Sequence, residues 1–159
     1  MRIYTLNLSS FPNQIISNQT ISVLDTSNPA RVKWFIGWNQ FFKVEDLGKA
    51  CKVKAKLITE DLPIASLTHI TNLGFLSVSI GSVFGNSIDG MVLGMTKTES
   101  VPNDTARNYL AIDTTQSCGV SAFVPTSGTE LVVSFRDING NQQTNIPDYI
   151  FQLIFEIEE

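Results

Sequence analysis

The sequence predicts an all-β fold, a two-sheet antiparallel sandwich of about eight to ten strands in a single domain over residues 1–159. Three observations predict it. Apolar and polar residues alternate with a period of two, turn-forming residues recur about every 8–12 positions, and a length of 159 residues suits one domain. A chain of this length can bury a core without a disulfide or a metal ion.

Residues 51–57 carry the clearest strand pattern, Cys-Lys-Val-Lys-Ala-Lys-Leu. Alternation places Cys51, Val53, Ala55 and Leu57 on one face and the lysines on the other. A helix would spread the lysines around its axis, because every second residue of a helix is rotated by about 200°. The segment is therefore predicted to be a half-buried strand.

Residues 149–157 repeat this pattern at the C-terminal end of the sequence. The odd-numbered positions are all aromatic or aliphatic and predict a buried face. The other face includes Ile150 and Ile154, so part of it is also expected to be covered. Residues 131–136 predict a further strand with its odd-numbered side chains inward.

The remaining predicted strands are short and separated by turn residues such as Ser27-Asn28-Pro29 and Ser127-Gly128. One helical turn is predicted at residues 44–47, closed by Gly48. The further strands are predicted at residues 3–8, 15–23, 32–38, 75–80, 91–96, 108–113 and 120–124.

The composition of the chain restricts the classes of partner that it is expected to bind. The net charge is −4, and only 16% of residues are charged. Nucleic-acid and membrane-surface binding both require clustered basic residues, so neither is expected. No apolar run approaches the roughly 20 residues of a membrane span, and the N-terminal residues lack the pattern of a signal peptide. Synthesis in the cytoplasm, without a signal peptide or membrane span, is expected.

Residues suited to catalysis or metal binding are few. His69 is the single histidine and is read as a polar loop or strand-end residue, and the acidic residues fall mainly in turns or at the tail. Residues 137–141 place oxygen ligands at alternate positions, but a β turn explains them without calcium. Cys51 and Cys118 are expected to be reduced, mostly buried thiols. The sequence predicts no enzyme, no cofactor and no metal.

Two candidate interface features stand out. Lys52, Lys54 and Lys56 form the densest positive charge and are read as a solvated strand face or the guard of an edge strand. The second interpretation is a patch that meets an acidic partner, including another copy of this chain. Ile150 and Ile154, on the second face of their strand, are the apolar candidates for the same interface.

Aromatic residues concentrate at Trp34 to Trp38, where Trp34, Ile36 and Trp38 are predicted to share one strand face. Packing in the core is the default interpretation, since aromatic residues bury large areas. The alternative is that Trp34 and Trp38 form an exposed platform for a ligand such as a sugar. Both interpretations are left open by the sequence.

The strand layout of the chain is carried by the segments Trp38-Asn39-Gln40-Phe41-Phe42, Cys51-Lys52-Val53-Lys54-Ala55-Lys56-Leu57, Leu73-Gly74-Phe75-Leu76-Ser77-Val78, Leu131-Val132-Val133-Ser134-Phe135-Arg136 and Ile146-Pro147-Asp148-Tyr149-Ile150-Phe151-Gln152-Leu153-Ile154-Phe155-Glu156. This layout resembles small single jelly-roll structural proteins of large DNA viruses that infect algae and other protists. The resemblance covers most of the chain.

This resemblance implies a single jelly roll and a place in the virion as a minor capsid or vertex component. It also implies self-association, as a trimer or pentamer, and contacts with other capsid proteins, and it supplies no catalytic residues. The alternative function is a carbohydrate- or ligand-binding β-sandwich module that uses the two tryptophans.

Overall fold

A computed structural model describes residues 1–11, 21–25, 27–28, 30–63, 73–80, 91–94, 97–137 and 146–158. The described part of the chain is dominated by strands, with one short helix, α1 (Trp38–Phe41), and one 3₁₀ turn (Val44–Asp46). The strands are β1 (Arg2–Ser9), β2 (Ile21–Asp25), β3 (Arg31–Ile36), β4 (Ala50–Thr59), β5 (Leu62–Pro63), β6 (Leu73–Ile80), β7 (Met91–Gly94), β8 (Lys97–Val101), β9 (Asp104–Asp113), β10 (Val120–Phe123), β11 (Thr129–Asp137) and β12 (Tyr149–Ile157).

These strands form two antiparallel sheets, which confirms the predicted all-β sandwich. The first sheet has the order β1-β12-β4-β9-β5, with β10 beside β4 and β8 beside β9. The second sheet has the order β2-β3-β11-β6-β7. Six of the eleven pairs of consecutive described strands lie in different sheets, so the chain crosses repeatedly between the two layers.

Alternating burial confirms the sequence pattern in the two longest predicted strands. Along β4, Cys51, Val53, Ala55 and Leu57 are buried, and the residues between them are exposed or half-buried. Along β12, the odd-numbered side chains are fully buried. The inner faces of β4 and β12 are adjacent in the first sheet, so together they supply much of the core.

Gly48 closes the predicted helical turn as expected. The turn is a 3₁₀ turn over Val44–Asp46, and Gly48 follows it with a φ of +79°. A residue with a side chain is strained at such a positive φ, whereas glycine adopts it freely. The chain then enters β4.

Trp38 departs from its prediction. It begins α1 rather than ending a strand, because the backbone turns after Gly37, whose carbonyl accepts hydrogen bonds from Gln40 and Phe41. The turn packs Trp38 against Phe42 at a ring separation of 5.9 Å and against Phe155 at 5.7 Å. These rings close one end of the core, and that burial favours the turn over continued strand.

Two strands were missed by the sequence pattern. β5 is only two residues long, and β8 reads Lys-Thr-Glu-Ser-Val, which has little apolar alternation. Both lie beside β9, at the margin of the first sheet, where backbone pairing requires few buried side chains. Predicted strand residues 15–20 and 95–96 lie outside the described residues, as do residues 138–141 of the loop after β11.

Candidate functional site

The outer face of the first sheet, the face turned away from the second sheet, carries all of the candidate interface residues. Lys52, Lys54 and Lys56 project from β4 on this face. β4 is not an edge strand, because β12 pairs along one side of it and β10 and β9 pair along the other. The interpretation that the lysines guard an edge strand is therefore wrong.

The lysines find partners within the chain. Lys54 Nζ lies 2.9 Å from Glu156 Oε1, and Lys52 Nζ donates to Ser121 Oγ at 2.6 Å. Lys56 is directly opposite Asp113 in the pairing of β4 with β9. The ion pair of Lys54 thus neutralises one of the three lysine charges on this face, and the interpretation of a basic patch that meets an acidic partner now depends on the exposed Lys52 and Lys56.

Apolar side chains are exposed at both ends of this face. At one end, Ile150 and Ile58 are directly opposite each other on β12 and β4, and Ile150 is 53% exposed. Ile154, half-buried, sits beside Lys54 nearer the centre. At the other end lie Ile3, on β1, and Phe123, on β10, which is 60% exposed. Exposed apolar residues grouped on one face are typical of a contact surface.

An open groove of about 500 Å³ lies between β10 and the ends of β4 and β12. Its lining mixes apolar side chains with charges of both signs. A volume of this size falls in the range of ligand sites, although such sites are usually more enclosed. The lining residues are Lys49, Ala50, Cys51, Lys52, Ser121, Ala122, Phe123, Glu156 and Glu158.

Asp46 is a buried acidic residue, and its burial could not be predicted from its position in a turn. Only 1% of its surface is exposed, and its carboxylate accepts hydrogen bonds from Tyr4 Oη at 2.7 Å, from Lys49 Nζ at 3.0 Å and from Arg2. The Tyr4 hydrogen bond and the two cations lower the pKa of Asp46 to about 2. The carboxylate ties the 3₁₀ turn to β1, which is a structural role.

Trp34 and Trp38 are correctly predicted as core residues, and the exposed-platform interpretation is wrong for both. They are 1% and 0% exposed. Trp38 also donates a hydrogen bond from its indole nitrogen to Thr129 Oγ1 at 3.0 Å. A buried indole with its N–H satisfied has neither a face nor a donor available for a ligand.

The two thiols are free and differ in environment. Cys51 is buried, as predicted, and burial raises its pKa to about 11. Cys118 is exposed, which corrects the expectation of a buried thiol; it precedes Gly119 in the connection to β10, where the chain turns at the surface.

His69 lies outside the described residues. Within the described ranges, no group of three or more histidine, cysteine or acidic residues is placed to hold a metal ion. No helix in the described part of the chain is long and apolar enough to cross a membrane.

Comparison of the chain with family models, with curated proteins and with solved structures found no match. The fold and the outer face of the first sheet are therefore the observations that bear on function.

Proposed function

We propose that this protein is a structural component of a virion, a single jelly roll of the minor capsid or vertex type that acts through self-association and through contacts with other shell proteins. The proposal assigns it no catalytic reaction and no cofactor. It extends the resemblance of the strand layout to jelly-roll structural proteins of large DNA viruses.

The observation that carries the proposal is a nested order of strand pairing. β1 pairs with β12, β3 with β11, β4 with β9 and β6 with β7, all antiparallel. Among these eight strands the first therefore pairs with the last, the second with the seventh, and so inward. A jelly roll has two four-stranded sheets built from Greek keys, which is the arrangement that a folded antiparallel ribbon of eight strands produces.

The joins between these pairs fit the same arrangement. β12 pairs with β4 in the first sheet, and β11 pairs with β6 in the second. The four strands β1-β12-β4-β9 and the four strands β3-β11-β6-β7 thus form the two layers. β2, β5, β8 and β10 are additions to these layers.

The outer face of the first sheet supports a contact role. Ile58, Ile150, Ile3 and Phe123 are exposed there, and the ion pair of Lys54 with Glu156 lies between the two ends of the face. Shell proteins gain stability from many repeated contacts, each of modest strength. An ion pair that is already made within the chain can be covered by a neighbour without leaving a buried charge unpaired.

The experiment is light scattering after size-exclusion chromatography over a range of protein concentrations, with negative-stain microscopy of the assembled fraction. We expect a defined oligomer whose population falls in the double variant Ile58→Ser and Ile150→Ser. The control is Val44→Ser, which changes an exposed apolar residue on the 3₁₀ turn rather than on the sheet. A wild-type chain that stays monomeric at its highest soluble concentration would overturn the proposal.

The alternative is a carbohydrate- or ligand-binding module. Trp34 and Trp38 are buried and cannot serve as its binding platform, so its candidate site is the groove lined by Phe123. A glycan array probed with the wild type and with Phe123→Ala separates the two functions. Glycan binding that the substitution abolishes, in a chain that does not self-associate, would favour the alternative.

A further inference from the structure

Strand β1 is the outermost of the described strands at one end of the first sheet. In the described part of the chain its only paired neighbour is β12, in an unbroken register from Arg2 opposite Ile157 to Ser9 opposite Ile150. We propose that β1 pairs with β1 of a second copy of this chain around a two-fold axis, so that one continuous sheet runs through the dimer. This inference rests on the self-association in the proposed function and adds a second contact surface, the edge of the first sheet, to the outer face.

The backbone groups that face the open edge follow from one hydrogen bond. Ser10 N donates to Tyr149 O at 2.9 Å, and these two residues continue the register of β1 with β12. In an antiparallel ladder both backbone groups of a residue point to the same side, and the side alternates along the strand. The residues with N–H and C=O toward the open edge are therefore Ile3, Thr5, Asn7 and Ser9.

A single two-fold register uses all four of these residues. It places Ile3 opposite Ser9 of the second copy and Thr5 opposite Asn7, with the axis beside Leu6. Each pair exchanges two N–H···O bonds, giving about eight between the copies. About eight is within the roughly 5–15 direct hydrogen bonds that a typical specific interface carries.

The side chains of β1 leave this edge open to a second copy. Natural sheets protect their edges with lysine, proline, bulges or inward charges. β1 reads Arg-Ile-Tyr-Thr-Leu-Asn-Leu-Ser, with no lysine or proline and no break in register. Its one charged side chain, Arg2, is held by Glu45 and Asp46 of its own copy.

The cross-strand pairs of this register are mutually compatible. Ile3, which is exposed, meets the small Ser9, and the hydroxyl of Thr5 meets the amide of Asn7. Opposite residues on one face of a sheet stabilise the pairing when they match, and like charges destabilise it. No like charges meet here, so the strand is complementary to itself.

The first test substitutes Thr5, whose N–H faces the open edge. Thr5→Pro removes that donor without removing a bond to β12, and proline is tolerated at such an edge position. Thr5→Ala is the matched control because it keeps the N–H. Thr5→Ala loses only the side-chain contact with Asn7 and should change the dimer dissociation constant little. We expect Thr5→Pro to raise it at least about tenfold, measured by light scattering, with circular dichroism checking that both fold. A folded Thr5→Pro chain with an unchanged dissociation constant would overturn the inference.

The second test needs no proline and decides the matter if Thr5→Pro does not fold. In a Cys118→Ser background, Thr5→Cys and Asn7→Cys proteins are mixed and oxidised. The proposed register puts positions 5 and 7 of the two copies directly opposite, about 5.5 Å apart at Cα, within the range of a disulfide. Positions 5 and 5, or 7 and 7, lie on diagonals of about 7–8 Å.

We expect a covalent dimer to form in the mixture and much more slowly in either protein alone. Equal cross-linking in all three samples would overturn the register. Another outcome is that the chain still assembles while Thr5→Pro leaves the dimer dissociation constant unchanged and the mixed cysteine proteins cross-link no faster than either protein alone. In that case this inference fails and the proposed function stands. A chain that never associates overturns both.

Discussion

Lys54 Nζ lies 2.9 Å from Glu156 Oε1 on the outer face of the first sheet, and the two side chains are only 13% and 21% exposed. The pair joins β4 to the neighbouring strand β12 at the centre of that face. Lys54 also donates to the backbone carbonyl of Thr115. This ion pair links the lysine-rich outer face of β4 to Glu156 of β12.

This ion pair predicts a measurable coupling. A double-mutant cycle of Lys54→Ala and Glu156→Ala should give a coupling free energy of about 0.5–1 kcal/mol in urea denaturation. The control cycle uses Arg107 and Asp61, which are 38% and 46% exposed and should couple less and lose more of that coupling in high salt. Equal salt sensitivity of the two cycles would contradict the partly buried setting of Lys54.

Asp46 predicts how stability depends on pH. Its pKa is held near 2 in the folded chain, below its ordinary value near 4. The stability that the ionised carboxylate contributes is therefore present above about pH 4 and is lost as pH falls toward 2. Asp46→Asn should lower the unfolding free energy at pH 7. It should also make the unfolding free energy change less with pH between pH 4 and 2.

The control for Asp46 is Glu45→Gln, since Glu45 also contacts Arg2 but is much more exposed. It should change stability at pH 7 much less than Asp46→Asn does. Thermal unfolding monitored by circular dichroism across this pH range measures both variants. Identical curves for wild type and Asp46→Asn would show that the carboxylate does not hold the turn to β1.

Tyr149 predicts a substitution that does not destabilise. Its hydroxyl is buried and has no hydrogen-bond partner among the described residues, and burial raises its pKa. An unsatisfied buried hydroxyl is costly, so Tyr149→Phe should leave the unfolding free energy unchanged or raise it by about 1 kcal/mol. Tyr4→Phe is the contrasting control. The Tyr4 hydroxyl donates a hydrogen bond to Asp46, so its removal should lower the unfolding free energy. A clear loss of stability in Tyr149→Phe would reveal a partner for the hydroxyl.

The cysteines predict a difference in reactivity. Cys118 is exposed, whereas Cys51 is buried and its pKa is raised to about 11, so its nucleophilic thiolate is scarce. A thiol reagent should modify one cysteine in the native chain and two after denaturation. Cys118→Ser should abolish the native reaction. Native modification that survives this substitution would place Cys51 at the surface.

The sequence could predict the strands whose pattern is a direct consequence of burial. β4 and β12 alternate because one side of each strand faces the core, and period two is then visible without any knowledge of the neighbours. The same reasoning identified Trp34 as a core residue. It placed Trp38 in the core as well but assigned it to a strand instead of α1, because a turn of helix and a strand can both bury a single aromatic side chain.

The candidate surface could be predicted only in part. Lys52 and Ile150 were correctly placed on outward positions, since an outward position is a property of one strand. Their neighbours could not be predicted: Ser121, Glu156 and Asp113 reach the lysines through pairings between strands that are distant in the sequence. The groove is likewise formed by β4, β10 and β12, which are distant from one another in the sequence.

The sequence by itself determined that this chain forms extended strands with one buried face, because side-chain alternation is a local property of each strand. The tertiary structure alone decided which strands are neighbours, that β1 lies at an edge, and that Asp46 is buried among Arg2, Tyr4 and Lys49. Those features depend on strand order, which is set by the packing of all strands together and leaves no periodic signal in the residues themselves.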